Sequence, residues 1–392
     1  MTKPARLELL GGLSPQAFMR QHWQKKPLLI RQAVPNMQPL VSRQALFDLA
    51  QQHDVESRLV CGNGVTEAWQ LQHGPFKRRQ LPSLSRSCWT LLVQGVDLQV
   101  DAVAALRDRF RFLPDARLDD VMVSYATDGG GVGPHVDSYD VFLLQAKGQR
   151  RWRIGPQKQV RFKEGEPLKI LAEFKPTQSW ILEPGDMLYL PPHYAHEGVA
   201  IGECMTYSIG FKAETLHGLA SALMARLTDQ EPPLNDPRYT DAQALPAKRP
   251  ANIPAHLQTF ARQSLRQALE KKDAIDVALG EWLTEPKQQV WFESQSMPKR
   301  APLAVRLDRR TQMLYDTRHV YINGESWRCQ GDDARWLKTL ADQRFLARPQ
   351  LAQASRALRQ QLWVWLRAGW LHPLVVNRDN RANVANSPII EG

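Results

Sequence analysis

Cysteine is scarce in this chain, and the few that occur stand apart. Cys61, Cys88, Cys204 and Cys329 are the four cysteines, and no two form a C-x-x-C pair. That spacing speaks against a zinc knuckle and a thioredoxin-like redox site. Reduced thiols, in the core or at the surface, are the expectation. Long apolar runs are missing as well: nothing approaches the roughly 20 residues that cross a bilayer as a helix. The stretch from Met1 to Leu13 has no continuous apolar segment and no small-residue cleavage site, so no secretory signal is expected. No internal repeat is present either. These absences point to a cytoplasmic protein with no membrane partner.

What is present begins with size and charge. A length of 392 residues allows two or three domains. The formal net charge of +11 favours a polyanionic neighbourhood such as nucleic acid or a ribonucleoprotein. The same excess also serves simply to solubilise a surface. Contact with nucleic acid therefore stays open.

The chain reads as three parts and a tail. Residues 1–212 are mixed and end in a strand-rich region. Ser14 caps a helix that runs to about Trp23, with Pro15 in its first turn. Pro27 to Arg31 reads as a short buried strand. Short apolar runs follow at Val121–Tyr125, Val141–Ala146, Trp152–Ile154, Ser179–Leu182, Met187–Leu190, Glu197–Ala200 and Met205–Phe211. Short strands broken by turn signals such as Glu183-Pro184-Gly185-Asp186 predict a β-sandwich or barrel. Residues 213–300 carry helical spacing at Leu216, Leu219, Leu223 and Leu227, and again from Phe260 to Trp282, with a Pro-rich loop from Glu231 to Pro254. Apolar helix faces need a partner, so this segment is a candidate dimer interface. Residues 301–380 hold a hairpin signal, Asn323-Gly324, between two strand-like runs, then helical patterns at Ala334–Leu340 and Leu351–Ala368. Helices around a two-stranded wing predict a winged-helix-like module. Residues 381–392 continue a polar tail that is expected to be mobile.

The chemistry centres on His135-Val136-Asp137. Residues two apart on an extended chain point to one side, so His135 and Asp137 can meet one metal ion. With one more imidazole from elsewhere they form the facial set of two histidines and a carboxylate that suits non-haem Fe(II) and leaves coordination positions open. H-x-D alone is weak, because so short a motif recurs by chance. Three features strengthen it. Gly129-Gly130-Gly131 and Gly133-Pro134 bring the chain up to the site with little bulk. Two histidines, His193 and His196, follow a Pro-Gly-Asp turn, and His196 is the better ligand because a strand start holds a group more firmly than a turn. Arg150 shares a strand face with Trp152, and an inward-facing arginine needs an anion. The far carboxylate of 2-oxoglutarate would be that anion.

These residues resemble a known family. Pro134-His135-Val136-Asp137, Asp140 to Gln145, Gly148 to Arg153, Pro184 to Pro192, His196-Glu197-Gly198 and the early His22 to Arg31 are similar to JmjC-domain ribosomal oxygenases of the bacterial branch. The resemblance covers nearly the whole chain. It implies an α+β fold: a double-stranded β-helix core of the cupin/JmjC kind, a helical dimerisation region and a C-terminal winged-helix-like domain. It implies Fe(II) on His135, Asp137 and His196, with 2-oxoglutarate on Arg150 and, through a hydroxyl, on Ser124. It places Asp128 and Tyr139 at the substrate, an arginine of a large-subunit ribosomal protein of L-sixteen type, and it implies a homodimer. Read as plain residues, Ser124 is a satisfied strand hydroxyl, Asp128 a turn former and Tyr139 a packed aromatic. The same chemistry would also remove an N-methyl group, and a metal-holding protein that only binds ribosomes or nucleic acid is the non-catalytic alternative.

Overall fold

The Ser14 hydroxyl accepts the Ala17 N–H at 3.2 Å, and Pro15 opens α1 (Pro15–Gln21), as the spacing predicts. The run after Pro27 forms β1 (Leu28–Ile30). Then come α2 (Arg43–Leu49), β2 (Ser57–Cys61), β3 (Gln70–His73), β4 (Trp89–Val93), α3 (Asp101–Asp108), β5 (Leu118–Ala126), β6 (Asp140–Pro156), β7 (Gln178–Leu182), β8 (Met187–Leu190) and β9 (Tyr194–Phe211). The computed structural model describes residues 6–157, 159–229, 235–242, 249, 251–270, 272–296 and 302–374. The chain divides into two compact units, Met1–Ala213 and Glu214–Gly392.

The first unit is built on one antiparallel sheet in the order β1-β8-β6-β9-β5-β4-β2-β3, with β7 beside β6. The long strand β6 changes neighbours along its length. Val141–Leu144 pairs with β8, and Arg150–Ile154 pairs with β7. That exchange wraps the sheet on itself and gives the expected double-stranded β-helix. The runs Val141–Ala146 and Trp152–Ile154 are therefore one strand, and so are Glu197–Ala200 and Met205–Phe211. The polar residues between them do not turn the chain; the β6–β9 pairing passes through with shifts of register around Lys147.

Alternation along the strands sorts side chains to two faces. Val121, Val123, Tyr125, Phe142, Leu144, Tyr207, Ile209 and Phe211 pack with Phe18, Phe47 and Phe110 into the main core. Val141, Leu143, Trp152, Ile154, Leu182 and Leu188 form a second cluster. The N-terminal segment braces the start of β6. Trp23 stacks on Tyr189, and the Tyr189 hydroxyl donates to fully buried Asp140 at 2.6 Å. Asp140 also faces Arg117 at 3.3 Å.

The second unit holds α4 (Leu216–Thr228), α5 (Ala255–Glu270), α6 (Ala274–Thr284), β10 (Ala304–Leu307), β11 (Met313–Tyr315), β12 (His319–Ile322), β13 (Glu325–Arg328), α7 (Gly331–Gln343), β14 (Phe345–Ala347), α8 (Arg348–Gln353), α9 (Arg356–Arg367) and β15 (Leu371–Leu374). Asn323 and Gly324 both take positive φ, 48° and 85°, as the hairpin signal requires. The wing has three strands, β11-β12-β13, rather than two. The pattern from Leu351 to Ala368 is two helices, because Ser355 breaks it by capping α9 at the Leu358 N–H. The helical and winged segments share this unit. Ser326 on β13 donates to Glu281 on α6 at 2.7 Å, and Arg226 on α4 reaches both Glu281 and the Gly324 carbonyl. Residues 381–392 of the polar tail, and part of the Glu231 to Pro254 segment, lie outside the described residues. No helix among the described residues is long and apolar enough to cross a membrane.

Candidate metal centre

The Gly-rich segment runs beside β9. Gly131 has no room for a side chain, since a Cβ there would stand 2.6 Å from the Gly198 carbonyl oxygen. Close passage of backbone, expected from the sequence, is what this glycine permits. The segment ends in a two-way backbone pair. The His135 N–H donates to the His196 carbonyl at 3.0 Å, and the His196 N–H donates to the His135 carbonyl at 2.9 Å. The two rings consequently lie 4.2 Å apart, centre to centre.

Asp137 completes the group. Its Oδ2 is 3.5 Å from His196 Nε2. One ligand atom from each of His135, Asp137 and His196 lies within 4.8 Å of the others. Both imidazoles are oriented from behind: His135 Nδ1 sits 2.9 Å from the Gly133 carbonyl, and His196 Nδ1 sits 2.9 Å from the Tyr194 carbonyl. With Nδ1–H donating, Nε2 keeps its lone pair for a metal. Burial, with the nearby His135 ring second, pushes the His196 pKa down to about 4 against the pull of Asp137. His196 is thus neutral at physiological pH, the form a metal ligand takes. The donor set fits Fe(II).

His193 does not join them. It is exposed with φ of 61°, and its backbone N–H donates to the Asp137 carbonyl at 2.7 Å. The turn histidine therefore braces Asp137 through backbone, while the strand histidine points at the centre.

Arg150 is the second anomaly. It is 5% exposed, and its Nε and Nη2 have no hydrogen-bond partner among the described residues. Its cross-strand neighbours are Ala200 and Leu182, which offer no charge. A buried guanidinium with open donors fits a carboxylate. Ser124 belongs to the same neighbourhood. It is buried, and its hydroxyl donates to the Thr206 carbonyl at a long 3.4 Å. Ala126, two residues on and so on the same face, clusters with Ala200, the neighbour of Arg150.

Tyr139 and Asp128 fare differently. Tyr139 is partly exposed beside the triad. Burial raises its pKa above the ordinary tyrosine range, and the charge of Asp137, the charge of Asp120 and a side-chain hydrogen bond with Asp137 add to that. Asp128 is not brought to the centre. It is exposed, its Oδ1 accepts the Gly202 N–H at 2.8 Å, and Gly202 lies beyond Ala200 on β9, away from His196. The acidic group that sequence reasoning passed over is Asp120 on β5, which is buried and faces Tyr139 through its charge. No spacing signal marks it, because only the strand pairing brings β5 and residue 139 together.

Residues 105–219 match the JmjC domain family, and residues 263–372 match the ROXA-like winged helix. The chain is 34% identical to the ribosomal protein uL16 3-hydroxylase of Escherichia coli strain K12, over 79% of this chain and 84% of that protein. It is 35% identical to a probable ribosomal oxygenase of Haemophilus influenzae, over 57% of this chain and 55% of that one. Among solved structures it is similar to E. coli ycfD, with a TM-score of 0.79, 30% identity and coverage of 92% of this chain and 98% of that one. A structure of YcfD in complex with cobalt and 2-oxoglutarate matches with a TM-score of 0.75 and 29% identity, over 92% of this chain and 98% of that one.

Proposed function

The chain belongs to the JmjC-domain ribosomal oxygenases, and from that premise we propose that it is an Fe(II)- and 2-oxoglutarate-dependent hydroxylase of an arginine on a ribosomal protein of the uL16 type. The observation that carries the reading is the pairing of two features in one unit. A group of two histidines and one aspartate is oriented for a metal, and a buried arginine on the adjoining strand has donors with no partner.

His135, Asp137 and His196 would hold Fe(II), and Arg150 would hold the far carboxylate of 2-oxoglutarate, with the Ser124 hydroxyl nearby. Iron and 2-oxoglutarate bound there would use O2 to hydroxylate an unactivated C–H, one oxygen atom entering the substrate and the other entering succinate, with CO2 released. The chain's own contribution is placement and exclusion of water. The backbone pair between His135 and His196 sets the ligand spacing. The Asp137 carbonyl, held by the His193 N–H, limits movement of the carboxylate arm. Tyr139 stands at the rim, where its ring can meet a substrate guanidinium.

The proposed setting follows from the substrate. A ribosomal protein is met in the cytoplasm. Dimerisation through the helical segment is supported by the apolar surface of Leu216, Leu265, Leu269 and Ile275, all exposed in the single chain.

The test is incubation with Fe(II), ascorbate, 2-oxoglutarate and ribosomal proteins, with mass spectrometry for one added oxygen atom and parallel assay of succinate. A hydroxylated arginine on the uL16-type protein, lost in His135→Ala, is the expected result. Formaldehyde release would report N-demethylation instead. Neither product from protein with iron bound would leave only the binding role.

A further inference from the structure

Arg150 is not the only buried donor without a partner on its strand face. Trp152, two residues on and so on the same face, is 4% exposed, and its indole Nε1 has no hydrogen-bond partner among the described residues. The Arg150 guanidinium carbon lies 5.7 Å from the Trp152 ring, so the two side chains are neighbours. The same ring stands 5.9 Å from the His196 ring. Cross-strand register gives the same order: Arg150 faces Ala200, Trp152 faces Gly198, and Ile154 faces His196. Trp152 therefore occupies the space between the candidate anion anchor and the candidate metal ligand.

Its position is enforced. A Cβ at Gly198 would stand 2.8 Å from ring atoms Cη2 and Cζ3 of Trp152. Only glycine at 198 leaves room for the Cε3–Cζ3–Cη2 edge of the six-membered ring against β9. With that edge seated on the strand, the opposite edge, which carries Nε1, faces away from Gly198.

Three buried N–H donors on two adjacent side chains thus lack partners: Arg150 Nε, Arg150 Nη2 and Trp152 Nε1. Leaving a buried donor unmade is costly, and a cluster of them points to a missing acceptor. One carboxylate offers about four lone-pair sites, enough for all three. We infer that Trp152 is a cosubstrate-binding residue whose indole N–H donates, beside Arg150, to the far carboxylate of the 2-oxo diacid. Its ring is also the surface along which the diacid's carbon chain lies between Arg150 and the metal. Gly198 is the positioning residue that seats the ring.

The inference rests on the proposed use of 2-oxoglutarate, and the experiment separates the two. Co(II)-loaded wild type and Trp152→Phe are titrated with 2-oxoglutarate and with 2-oxovalerate, a five-carbon 2-oxo acid with no far carboxylate. The affinity of each protein for Co(II) alone is measured as well. Trp152→Phe keeps an aromatic side chain, smaller than the indole, and removes the N–H; 2-oxovalerate reports the effect of the lost ring area. The expected result is a Kd for 2-oxoglutarate raised about 10-fold, with 2-oxovalerate and Co(II) binding unchanged. An unchanged Kd for the diacid, or an equal loss for both acids, overturns the inference. Wild type that binds no 2-oxoglutarate overturns the cosubstrate reading itself. If Trp152→Phe does not fold, the Zn(II)-loaded wild type decides through its indole N–H resonances, from 12 tryptophans. One resonance moved downfield by the diacid and not by the monoacid supports the role, and none so moved removes it.

Discussion

His135 and His196 are hydrogen-bonded to each other through backbone in both directions, at 3.0 and 2.9 Å, although 61 positions in sequence separate their numbers. The bridge joins the glycine-rich approach to the start of β9, where His196 Nε2 lies 3.5 Å from Asp137 Oδ2. Neither histidine can shift without the other, so the site behaves as one unit.

That coupling makes the ligands indispensable and the turn histidine replaceable. His135→Ala, Asp137→Ala and His196→Ala are each expected to reduce succinate formation to background and to weaken Fe(II) binding by more than about 10-fold. His193→Asn is expected to keep both, because asparagine tolerates the left-handed backbone and preserves the N–H to Asp137. Iron titration together with succinate assay checks the pair; loss of iron binding in His193→Asn would move the third ligand to the turn.

Arg150→Met should separate stability from binding. It removes a buried charge whose Nε and Nη2 have no hydrogen-bond partner among the described residues, so the ligand-free variant is expected to melt at or above the wild-type Tm. The Kd for 2-oxoglutarate is expected to rise about 100-fold, from loss of charge-assisted hydrogen bonds worth about 3 kcal/mol. Calorimetry with and without 2-oxoglutarate would show the ligand-induced rise in Tm vanish. A ligand-free variant that melts well below wild type would argue for a structural role.

Asp97 and Arg107 form a buried pair in the first unit, 1% and 3% exposed in their side chains and 2.9 Å apart. The other Asp97 oxygen accepts the Val121 N–H at 2.9 Å and so pins the start of β5. Arg107→Ala leaves that carboxylate buried without its cation, and a loss of about 3–5 kcal/mol is expected. Denaturant unfolding of the variant measures it, and a loss under about 1 kcal/mol would show the pair to be dispensable.

Asp308 in the second unit gives a pH dependence. Burial alone would raise its pKa, but hydrogen bonds from His372 and Arg310 and the Arg310 charge hold it well below the usual carboxylate range. A depressed folded pKa means that the stabilisation is present above the unfolded value, about 3.9, and is lost as pH falls toward the folded one. Asp308→Asn is expected to destabilise the unit at neutral pH and to flatten the decline of stability below about pH 4. Thermal melts across that range compare the two; parallel curves for variant and wild type would exclude Asp308 as the titrating group.

Much of this was legible in the residues. Ser14-Pro15 announces a helix start and Asn323-Gly324 a hairpin, because capping and positive φ are local demands met by few residue types. His135 and Asp137 declare a shared side through period-two geometry alone. The joins along β6 and β9 were not legible. Lys147-Gly148-Gln149 looks like a turn in sequence, and only pairing with β9 shows that the strand continues through it.

The sequence by itself determined which chemistry the chain can host: two histidines, a carboxylate and an arginine at spacings that suit iron and a 2-oxo acid. Tertiary structure alone decided which residues meet. It joined His196 to His135 by a backbone bridge, set Asp128 against the Gly202 N–H and let the charge of Asp120 act on Tyr139. It also buried Arg150 and Trp152 side by side with their N–H groups unmet. The physical reason is that spacing along a strand is set by local geometry, whereas partnership between strands is set by register. Register depends on hydrogen bonds and packing contributed by segments far apart in the chain.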